Sequence, residues 1–230
     1  MRVSNKKEKE LNPSNEKKLL FQSDFDGTIT VEDISFIILD KYARGDWRRI
    51  LQDYKTGQIT VGEFNKRAFA LVNEDQATLE KYVLANYQLR QGFKELLSYC
   101  SKNGIRFVIT SNGLDFYIRA ILKHVNEESL EVYSARTVFG NDHLETEYFS
   151  SDGNALDGGF KEAYSRHFIE NGYDIIYAGN GASDAPAASL AKYAFATESL
   201  VDVLEKARKP FYPFKDLNEV ANKIKKIIGS

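Results

Sequence analysis

Two aspartates stand directly after a short apolar run near the start of this 230-residue chain, and a glycine follows them. The apolar run at residues 19–21 is typical of a buried strand, and Asp24 and Asp26 come where that strand would turn at Gly27. Side chains two positions apart on an extended chain point the same way. Two like charges so close together repel each other unless a cation or a shared proton lies between them. A hard divalent cation would meet that need.

The turn after the aspartates has the residue types that bind an anion. Gly27 allows the backbone to turn sharply and to bring its N–H groups close to a ligand. Thr28 and Thr30 add short hydroxyl groups. The segment therefore predicts a site for phosphate together with Mg²⁺.

Three later segments have a related form, each at the expected end of a strand or start of a helix. A β-rich run at residues 105–110 leads into Ser111, Asn112 and Gly113. Lys161 stands at the start of a predicted helix. Residues 174–188 read as a strand, a glycine turn and a helix with a proline in its first turn.

The four segments in this order resemble the haloacid dehalogenase (HAD) superfamily, whose opening motif is Asp-x-Asp-Gly-Thr. The resemblance implies that Asp24 is the nucleophile, which forms an aspartyl-phosphate, and that Asp26 is the general acid and base. It implies that the phosphate is bound by Ser111, Asn112 and Lys161. It further implies a Mg²⁺ cofactor, with these ligands: Asp24, Asp26 through its backbone carbonyl, Asn180, and Asp184 through water.

Asn180 departs from the family pattern, which normally has an aspartate at that position. An amide oxygen coordinates Mg²⁺ but contributes no charge, so the departure bears on metal affinity. Replacing Asn180 with aspartate is expected to tighten Mg²⁺ binding. The departure also leaves open an alternative to a phosphatase. In that alternative the chain is a catalytically weak HAD-like protein that binds a phosphorylated metabolite or has a regulatory function.

The organisation of the chain predicts an α/β fold with a mainly parallel, Rossmann-like sheet flanked by helices. We expect a polar, lysine-rich tail over residues 1–18 and a catalytic core over 19–31 and 88–230. Between the two parts of the core, apolar residues recur at helical spacing over 32–87, which predicts a small helical bundle. A β-hairpin is expected over 131–149.

The resemblance identifies the inserted bundle as a cap over the active site, as in the subfamily with phosphoserine phosphatase and methylthiopentenyl-phosphate phosphatase. Asp33 matches a cap position that binds a substrate amine, or is an ordinary acid at a helix N-terminus. The arginine that would bind a serine carboxylate is replaced by Ala68, with Lys66 and Arg67 beside it. Asp33, Lys66 and Arg67 are therefore candidates for substrate choice. Phosphoserine, sugar phosphates, phosphorylated keto-enols and other small phosphomonoesters all remain open.

Composition narrows the classes of partner. The net charge of −2 favours neither nucleic acid nor an anionic membrane, and the single cysteine allows no internal disulfide. No apolar run approaches the ~20 residues of a membrane helix. We expect a cytoplasmic protein whose partner is a small phosphorylated metabolite, and the sequence carries no prediction of oligomeric state.

Two other phosphate chemistries fit the sequence less well. Cys100 and Arg106 have the spacing of cysteine-dependent phosphatases, but here a helix precedes the cysteine and a strand begins at the arginine, the reverse of the required order. A receiver domain phosphorylated by a kinase shares the acidic pocket but leaves the helical insertion unexplained.

The histidines, at 124, 143 and 167, are too widely spaced for a local metal site.

Overall fold

The computed structural model describes residues 18–140 and 143–229. Within them a single sheet has the strand order β4-β3-β2-β1-β5-β6-β7. Its strands are β1 (Lys18–Ser23), β2 (Arg106–Leu114), β3 (Glu131–Phe139), β4 (Leu144–Glu147), β5 (Tyr173–Gly179), β6 (Tyr193–Ala196) and β7 (Tyr212–Pro213). Lys18, which the sequence assigns to the tail, is the first residue of β1, and the rest of the predicted tail lies outside the described residues.

The sheet is parallel except at one edge. β2, β1, β5, β6 and β7 pair in parallel, and β3 pairs in parallel with β2. β3 and β4 pair antiparallel, with Arg136 opposite Glu147 and Phe139 opposite Leu144. The expected α/β class and hairpin are thus confirmed, while residues 141–142 of the predicted hairpin turn fall outside the described part of the chain.

Helices cover both faces and form the inserted segment. They are α1 (Ile34–Tyr42), α2 (Trp47–Lys55), α3 (Val61–Phe69), α4 (Gln76–Asn86), α5 (Phe93–Lys102), α6 (Asp115–His124), α7 (Phe160–Glu170), α8 (Ala185–Leu190), α9 (Ser199–Lys206) and α10 (Leu217–Ile228). A short 3₁₀ turn at Ala182–Asp184 precedes α8. Among the described helices, none is both long and apolar enough to cross a membrane.

A polar residue caps the N-terminus of each of the helices α1 to α4. Asp33, Asp46, Thr60 and Asp75 each accept a hydrogen bond from the backbone N–H three residues later. α4 packs against α6, and α3 packs against β4. The four helices therefore stand beside the carboxyl ends of the central strands.

The chain enters and leaves this helical segment at one place. Thr30 forms an antiparallel bridge with Leu89, and the backbone N–H of Val31 donates to the carbonyl of Gln88 at 2.9 Å. The two chain connections between this helical segment and the rest of the molecule therefore lie side by side.

A buried polar contact ties the centre of the sheet to α7. Gln22 on β1 donates to Oγ1 of Thr110 at 2.8 Å and to the backbone carbonyl of Lys161 at 3.1 Å. Its own Oε1 accepts from the hydroxyl of Ser165 at 2.8 Å. Because a buried amide left unpaired costs free energy, this arrangement fixes the start of α7 against the strand ends. Lys161, in the first turn of α7, is thereby placed near the carboxyl end of β1.

Candidate active site

A cavity of about 490 Å³ lies at the carboxyl ends of β1, β2 and β5, between the sheet and the helical segment. Open α/β sheets bind ligands at this edge. The predicted site residues on its wall are Asp24, Asp26, Asp33, Ser111, Asn112, Lys161 and Asn180. Four segments far apart in the sequence therefore meet in one place, as the motifs predict.

The ammonium group of Lys161 lies between two carboxylates at the floor of the cavity. Its Nζ is 2.8 Å from Oδ1 of Asp24 and 2.6 Å from Oδ1 of Asp184, and all three side chains are buried. Burial by itself lowers the pKa of Lys161, but the carboxylates of Asp184 and Asp24 outweigh it and raise that pKa. Burial and then the charge of Asp184 raise the pKa of Asp24 to about 7, against the lowering effect of Lys161.

Asp184 uses both of its oxygens within the protein. Oδ1 accepts from Lys161 at 2.6 Å and from the hydroxyl of Tyr177 at 2.6 Å. Oδ2 accepts from the backbone N–H groups of Asn180 at 3.1 Å and Gly181 at 2.8 Å. A carboxylate has about four acceptor positions, so all are occupied here. The geometry supports a part for Asp184 in orienting Lys161 and the 180–181 turn; its part at a metal stays a prediction.

Asp26 is held on both oxygens. The backbone N–H of Ile34 donates to Oδ1 at 3.0 Å, and the hydroxyl of Tyr117 donates to Oδ2 at 2.6 Å. Tyr117 also contacts the hydroxyl of Ser35 at 2.9 Å. Burial, followed by the charge of Asp33, raises the pKa of Asp26 well above its ordinary value. A carboxyl group with a raised pKa keeps its proton to higher pH than an ordinary aspartate does, which is what a general acid requires.

The phosphate loop predicted at 111–113 is a bulge at the end of β2. Thr110 is opposite Tyr133 and Leu114 is opposite Ala135, so four residue steps on β2 span only two on β3. β2 is also longer than the strand expected over 106–110, because it resumes after the bulge. The extra residues leave the ladder and line the cavity.

Gly113 in this bulge allows Asp26 and Tyr117 to approach the loop. A Cβ at position 113 would lie 2.1 Å from the hydroxyl oxygen of Tyr117 and 2.3 Å from Oδ2 of Asp26. The backbone N–H of Gly113 donates to Oγ of Ser111 at 3.0 Å. Asn112 presents a buried Oδ1 that has no hydrogen-bond partner among the described residues. A buried, unpaired amide on a cavity wall is a group suited to contact a ligand.

Asn180 packs onto the turn that follows the two aspartates. Gly27 has φ +69°, and a Cβ there would lie 2.0 Å from Nδ2 of Asn180, so glycine is required on both counts. Nδ2 of Asn180 donates to Oε2 of Glu198 at 3.0 Å. The guanidinium of Arg90 donates to the carbonyls of Gly27 at 2.7 Å and Thr28 at 2.9 Å, and lies 3.4 Å from Glu198.

The available donors fit a hard cation. Among the described residues, no group of three or more His, Cys, Asp and Glu side chains is arranged to hold a metal. A metal here would instead take the Asp24 carboxylate, the Asp26 backbone carbonyl and the Asn180 amide oxygen. Mg²⁺ prefers such oxygen ligands and keeps several waters, so one or two protein carboxylates suffice.

The helical segment supplies an apolar wall to the cavity. The apolar side chains that form this wall are Phe36, Leu51, Tyr54, Val61 and Phe64. Phe64 stacks on Tyr54 with ring centroids 5.8 Å apart and meets Phe36 edge-on at 6.4 Å. The sequence favours helix packing over ligand contact for these aromatic residues, and here the rings pack against one another and also line the cavity.

Asp33 is a helix cap, as one interpretation of the sequence predicts, and its predicted contact with a substrate amine stays a prediction. It caps α1, because one carboxylate oxygen accepts from the backbone N–H of Phe36 at 3.1 Å, and it also lines the cavity. Burial raises the pKa of Asp33 to about 6. A cap residue with a raised pKa on the cavity wall can still contact a substrate.

Lys66 and Arg67 do not reach the cavity. Both are exposed, and Arg67 donates to Glu63 at 2.6 Å on the outer face of α3. Ala68 is fully buried in the core. Because α3 turns its other face inward, the neighbouring Asn65 lines the cavity in their place. The predicted contribution of Lys66 and Arg67 to substrate choice has no support in this geometry.

Asn65 connects α3 to the phosphate loop. Its Nδ2 donates to the backbone carbonyl of Asn112 at 2.7 Å and also to the hydroxyl of Tyr148, which itself donates to the same carbonyl. Asn65 is 4% exposed, so this contact is shielded from water. The helical segment is thus hydrogen-bonded to the site.

Sequence reasoning missed several residues that support the site. They are Asn65, Arg90, Tyr117, Tyr148, Tyr177 and Glu198. Of these six, Tyr177 alone lies within a motif segment, and the tyrosines fit a core pattern equally well. For the tyrosines the available signal was chemical, because a phenol hydroxyl needs a partner when it is buried. Asn65, Arg90 and Glu198 stand next to other polar residues, so the sequence carried no such signal for them.

Comparisons with known proteins agree with the geometry. A model of the haloacid dehalogenase-like hydrolase family matches residues 22–189. A 2-hydroxy-3-keto-5-methylthiopentenyl-1-phosphate phosphatase of Bacillus pumilus is 28% identical over 92% of this chain and 94% of its own length. The enzyme of that name from Bacillus velezensis is 26% identical over 89% of this chain and 88% of its own length. The names describe phosphomonoester hydrolases.

A solved structure shows the same fold. It is titled as a phospho-aspartyl intermediate analogue of phosphoserine phosphatase, and it superposes with a TM-score of 0.68 at 16% identity. The match covers 90% of this chain and 99% of that chain. The family match spans most of the sequence and includes the residues of all four motif segments that line the cavity, so the expected relationship is confirmed. The chain belongs to the haloacid dehalogenase-like hydrolase family.

Proposed function

We propose that this protein is a Mg²⁺-dependent phosphatase that hydrolyses a small phosphomonoester through an aspartyl-phosphate on Asp24. The observation that carries the proposal is the buried ammonium of Lys161, 2.8 Å from Asp24 at the floor of the cavity. Phosphoryl transfer needs an in-line nucleophile, cancellation of phosphate charge and a proton for the leaving oxygen. The described residues offer a group for each.

Asp24 acts as the nucleophile in this proposal. Lys161 holds one carboxylate oxygen, and the backbone N–H of Asp24 donates to the carbonyl of Ala178 at 2.9 Å, which fixes the residue at the end of β1. A carboxylate oxygen of Asp24 attacks phosphorus and the bond to the leaving oxygen breaks. The phosphoryl group is then carried by Asp24.

Asp26 transfers the proton in both halves of the reaction. Its raised pKa lets it protonate the departing alcohol or enol. The resulting carboxylate then takes a proton from the water that hydrolyses the aspartyl-phosphate. Tyr117, whose own pKa is raised by burial and then by the charge of Asp26, stays a hydrogen-bond donor to Asp26 throughout.

Ser111, Asn112 and Lys161 bind the phosphate oxygens, and Lys161 neutralises part of their charge. When bound by Asp24, the Asp26 carbonyl and Asn180, Mg²⁺ supplies positive charge that lets the anionic nucleophile and the phosphate approach each other.

Residues 32–87 are proposed to be a cap that closes over the core formed by 19–31 and 88–230. Its closure would exclude water.

The apolar wall favours a substrate with an apolar group beside its phosphate. The helical side of the cavity offers mainly Phe36, Tyr54 and Phe64, and the charged groups among its described lining residues are Asp33 and Lys55. The curated relatives are named for a methylthio-bearing keto-enol phosphate. We infer that phosphorylated keto-enols with an apolar chain suit this cavity better than phosphoserine. We retain the cytoplasm as the proposed location.

A panel of phosphomonoesters with released phosphate measured, with and without Mg²⁺, tests the proposal. It should include a keto-enol phosphate with an apolar chain, phosphoserine, a sugar phosphate and an aryl phosphate. Metal-dependent release that is highest for the apolar substrate is expected. Binding of these compounds without release at any Mg²⁺ concentration would instead favour the catalytically weak binding protein.

A further inference from the structure

The amide of Asn180 is oriented by a carboxylate outside the four motifs. Nδ2 of Asn180 donates to Oε2 of Glu198 at 3.0 Å. A carboxylate oxygen only accepts hydrogen bonds, so the end of the amide that faces Glu198 is its NH₂ group. Oδ1, the end that can bind a cation, is left for another partner.

Glu198 has a second, charged neighbour, and its own side chain is 50% exposed. Its Oε1 lies 3.4 Å from the guanidinium of Arg90, whose side chain is only 11% exposed. The backbone of Glu198 has φ 49° and ψ −134°, a strained conformation for a residue other than glycine. Strain of this kind persists where surrounding contacts enforce it, and often at functional sites.

The backbone of Asn180 is joined to the same loop. Its carbonyl accepts from the backbone N–H of Leu200 at 2.8 Å and from the hydroxyl of Ser199 at 3.2 Å. These bonds join the start of α9 to the turn that follows β5. The carboxylate of Glu198 stays within reach of the Asn180 side chain.

We propose that Glu198 is a positioning residue that keeps Oδ1 of Asn180 turned to Mg²⁺. The inference rests on the proposed function, in which Asn180 is a ligand. An amide has two chemically different ends and binds a cation through one of them, whereas the two oxygens of a carboxylate are equivalent. An asparagine at position 180 therefore needs an orienting partner, and an aspartate there does not. Residues 180 and 198 act as a pair.

Two conservative variants separate orientation from charge. Glu198→Gln keeps the length and an accepting oxygen but loses the charge, so Mg²⁺ affinity should stay within about threefold of wild type. Glu198→Asp keeps the charge but is shorter by one methylene and loses the hydrogen bond. We expect it, like Glu198→Ala, to weaken Mg²⁺ binding by about tenfold or more, the usual scale for losing a contact that orients a metal ligand. Glu205→Ala, on the exposed side of α9, is the matched control.

The double variants give the sharpest comparison. In an Asn180→Asp background, Glu198→Ala should no longer weaken Mg²⁺ binding, because the carboxylate at 180 needs no orientation. Asn180→Asp alone should bind Mg²⁺ more tightly while lowering the melting temperature of the metal-free protein, since two carboxylates then face each other. Circular dichroism of each metal-free variant shows whether it has folded.

The experiment is a titration of the full-length protein with MgCl₂ alone, followed by calorimetry and by the rise in melting temperature. Wild type that shows neither heat nor a shift would overturn the proposed metal-dependent function and this inference with it. If wild type binds, then equal affinity in Glu198→Asp and weak binding in Glu198→Gln would show that charge rather than orientation matters. A tenfold loss from Glu198→Ala in both the wild-type and the Asn180→Asp background would likewise overturn the inference.

Discussion

The ammonium of Lys161 lies 2.8 Å from the carboxylate of Asp24, the proposed nucleophile, and both side chains are almost fully buried. Asp184 completes the group from the other side, 2.6 Å from the same nitrogen. One cation thus serves two buried anions. This arrangement links the proposed catalysis to stability, because any change at Lys161 affects both the proposed nucleophile Asp24 and the supporting carboxylate of Asp184.

Lys161→Met is expected to lower both activity and stability. Removing one partner of a buried ion pair costs about 3–5 kcal/mol of unfolding free energy. The loss should be smaller at pH 6 than at pH 8, because Asp24 already has a raised pKa of about 7 and its protonation removes the uncompensated charge. Thermal unfolding at the two pH values, without metal, measures this.

Lys192→Met is the control for Lys161→Met. Lys192 lies 2.7 Å from Asp174, but its side chain is 49% exposed. An exposed pair contributes only about 0–1 kcal/mol. A loss at Lys161 no larger than the loss at Lys192 would contradict the buried ion group described here.

Asp24→Asn is expected to eliminate turnover without unfolding the protein, because an amide cannot form the phosphoryl ester. The same substitution should also change how the stability of the metal-free protein depends on pH. The folded pKa of Asp24 is raised from 3.8 to about 7, so the native state holds a proton that the unfolded chain releases. Metal-free wild type should therefore lose stability as the pH rises from about 4 to about 7.

Asp24→Asn removes that contribution, and its melting temperature should fall less between pH 4.5 and pH 7.5 than that of wild type. Part of the decrease in melting temperature with rising pH should remain, because the pKa of Asp33 is also raised, to about 6. Calorimetry in the presence of a chelator measures both slopes. Equal slopes, or near wild-type hydrolysis by Asp24→Asn free of contaminating phosphatase, would disagree with the role of this residue.

Asp26→Asn is expected to slow hydrolysis by about 10²-fold or more, the usual scale for a positioned acid–base group. Asparagine keeps the shape. Its single oxygen can still accept from the backbone N–H of Ile34, and its NH₂ group can donate to the hydroxyl oxygen of Tyr117, so the fold should be little affected. The loss should be smaller for aryl phosphates, whose leaving groups need less protonation. An equal loss for aryl and alkyl phosphates would assign Asp26 to structure or metal instead of proton transfer.

Asn65→Ala is expected to weaken the contact between α3 and the phosphate loop. Losing a buried hydrogen bond and leaving the Asn112 carbonyl less satisfied costs about 1–3 kcal/mol. The value of kcat/KM for a substrate with an apolar chain should fall by about tenfold, since about 1.4 kcal/mol corresponds to that factor. The fall for a small aryl phosphate should be less.

Lys66→Ala, one position further on the same helix, is the matched control for Asn65→Ala. Lys66 is exposed and does not line the cavity, so kcat/KM should stay within about twofold for every substrate. An effect of Lys66→Ala as large as that of Asn65→Ala would restore the substrate role that the sequence predicted for Lys66.

Elements whose signal lies in consecutive residues were predicted well. The helices expected over 32–87 are α1 to α4, and the hairpin expected over 131–149 is formed by β3 and β4. The two-residue strand β7 was missed, because so short a segment ending in a proline carries no periodicity. β2 was expected to end at Thr110, since the bulge at 111–113 resembles a terminal turn.

The residue types of the motifs could likewise be read from the chain alone, because in the first and fourth segments a strand end, a glycine and a carboxylate lie close together in sequence. The partners of the motif residues could not. Tyr117 meets Asp26 across 91 positions, Asn65 meets the Asn112 carbonyl across 47, and Glu198 meets Asn180 across 18. Local residue types decide which groups stand at the strand ends. Which distant side chains point at them depends on how helices and loops pack, and that arises only when the whole chain folds.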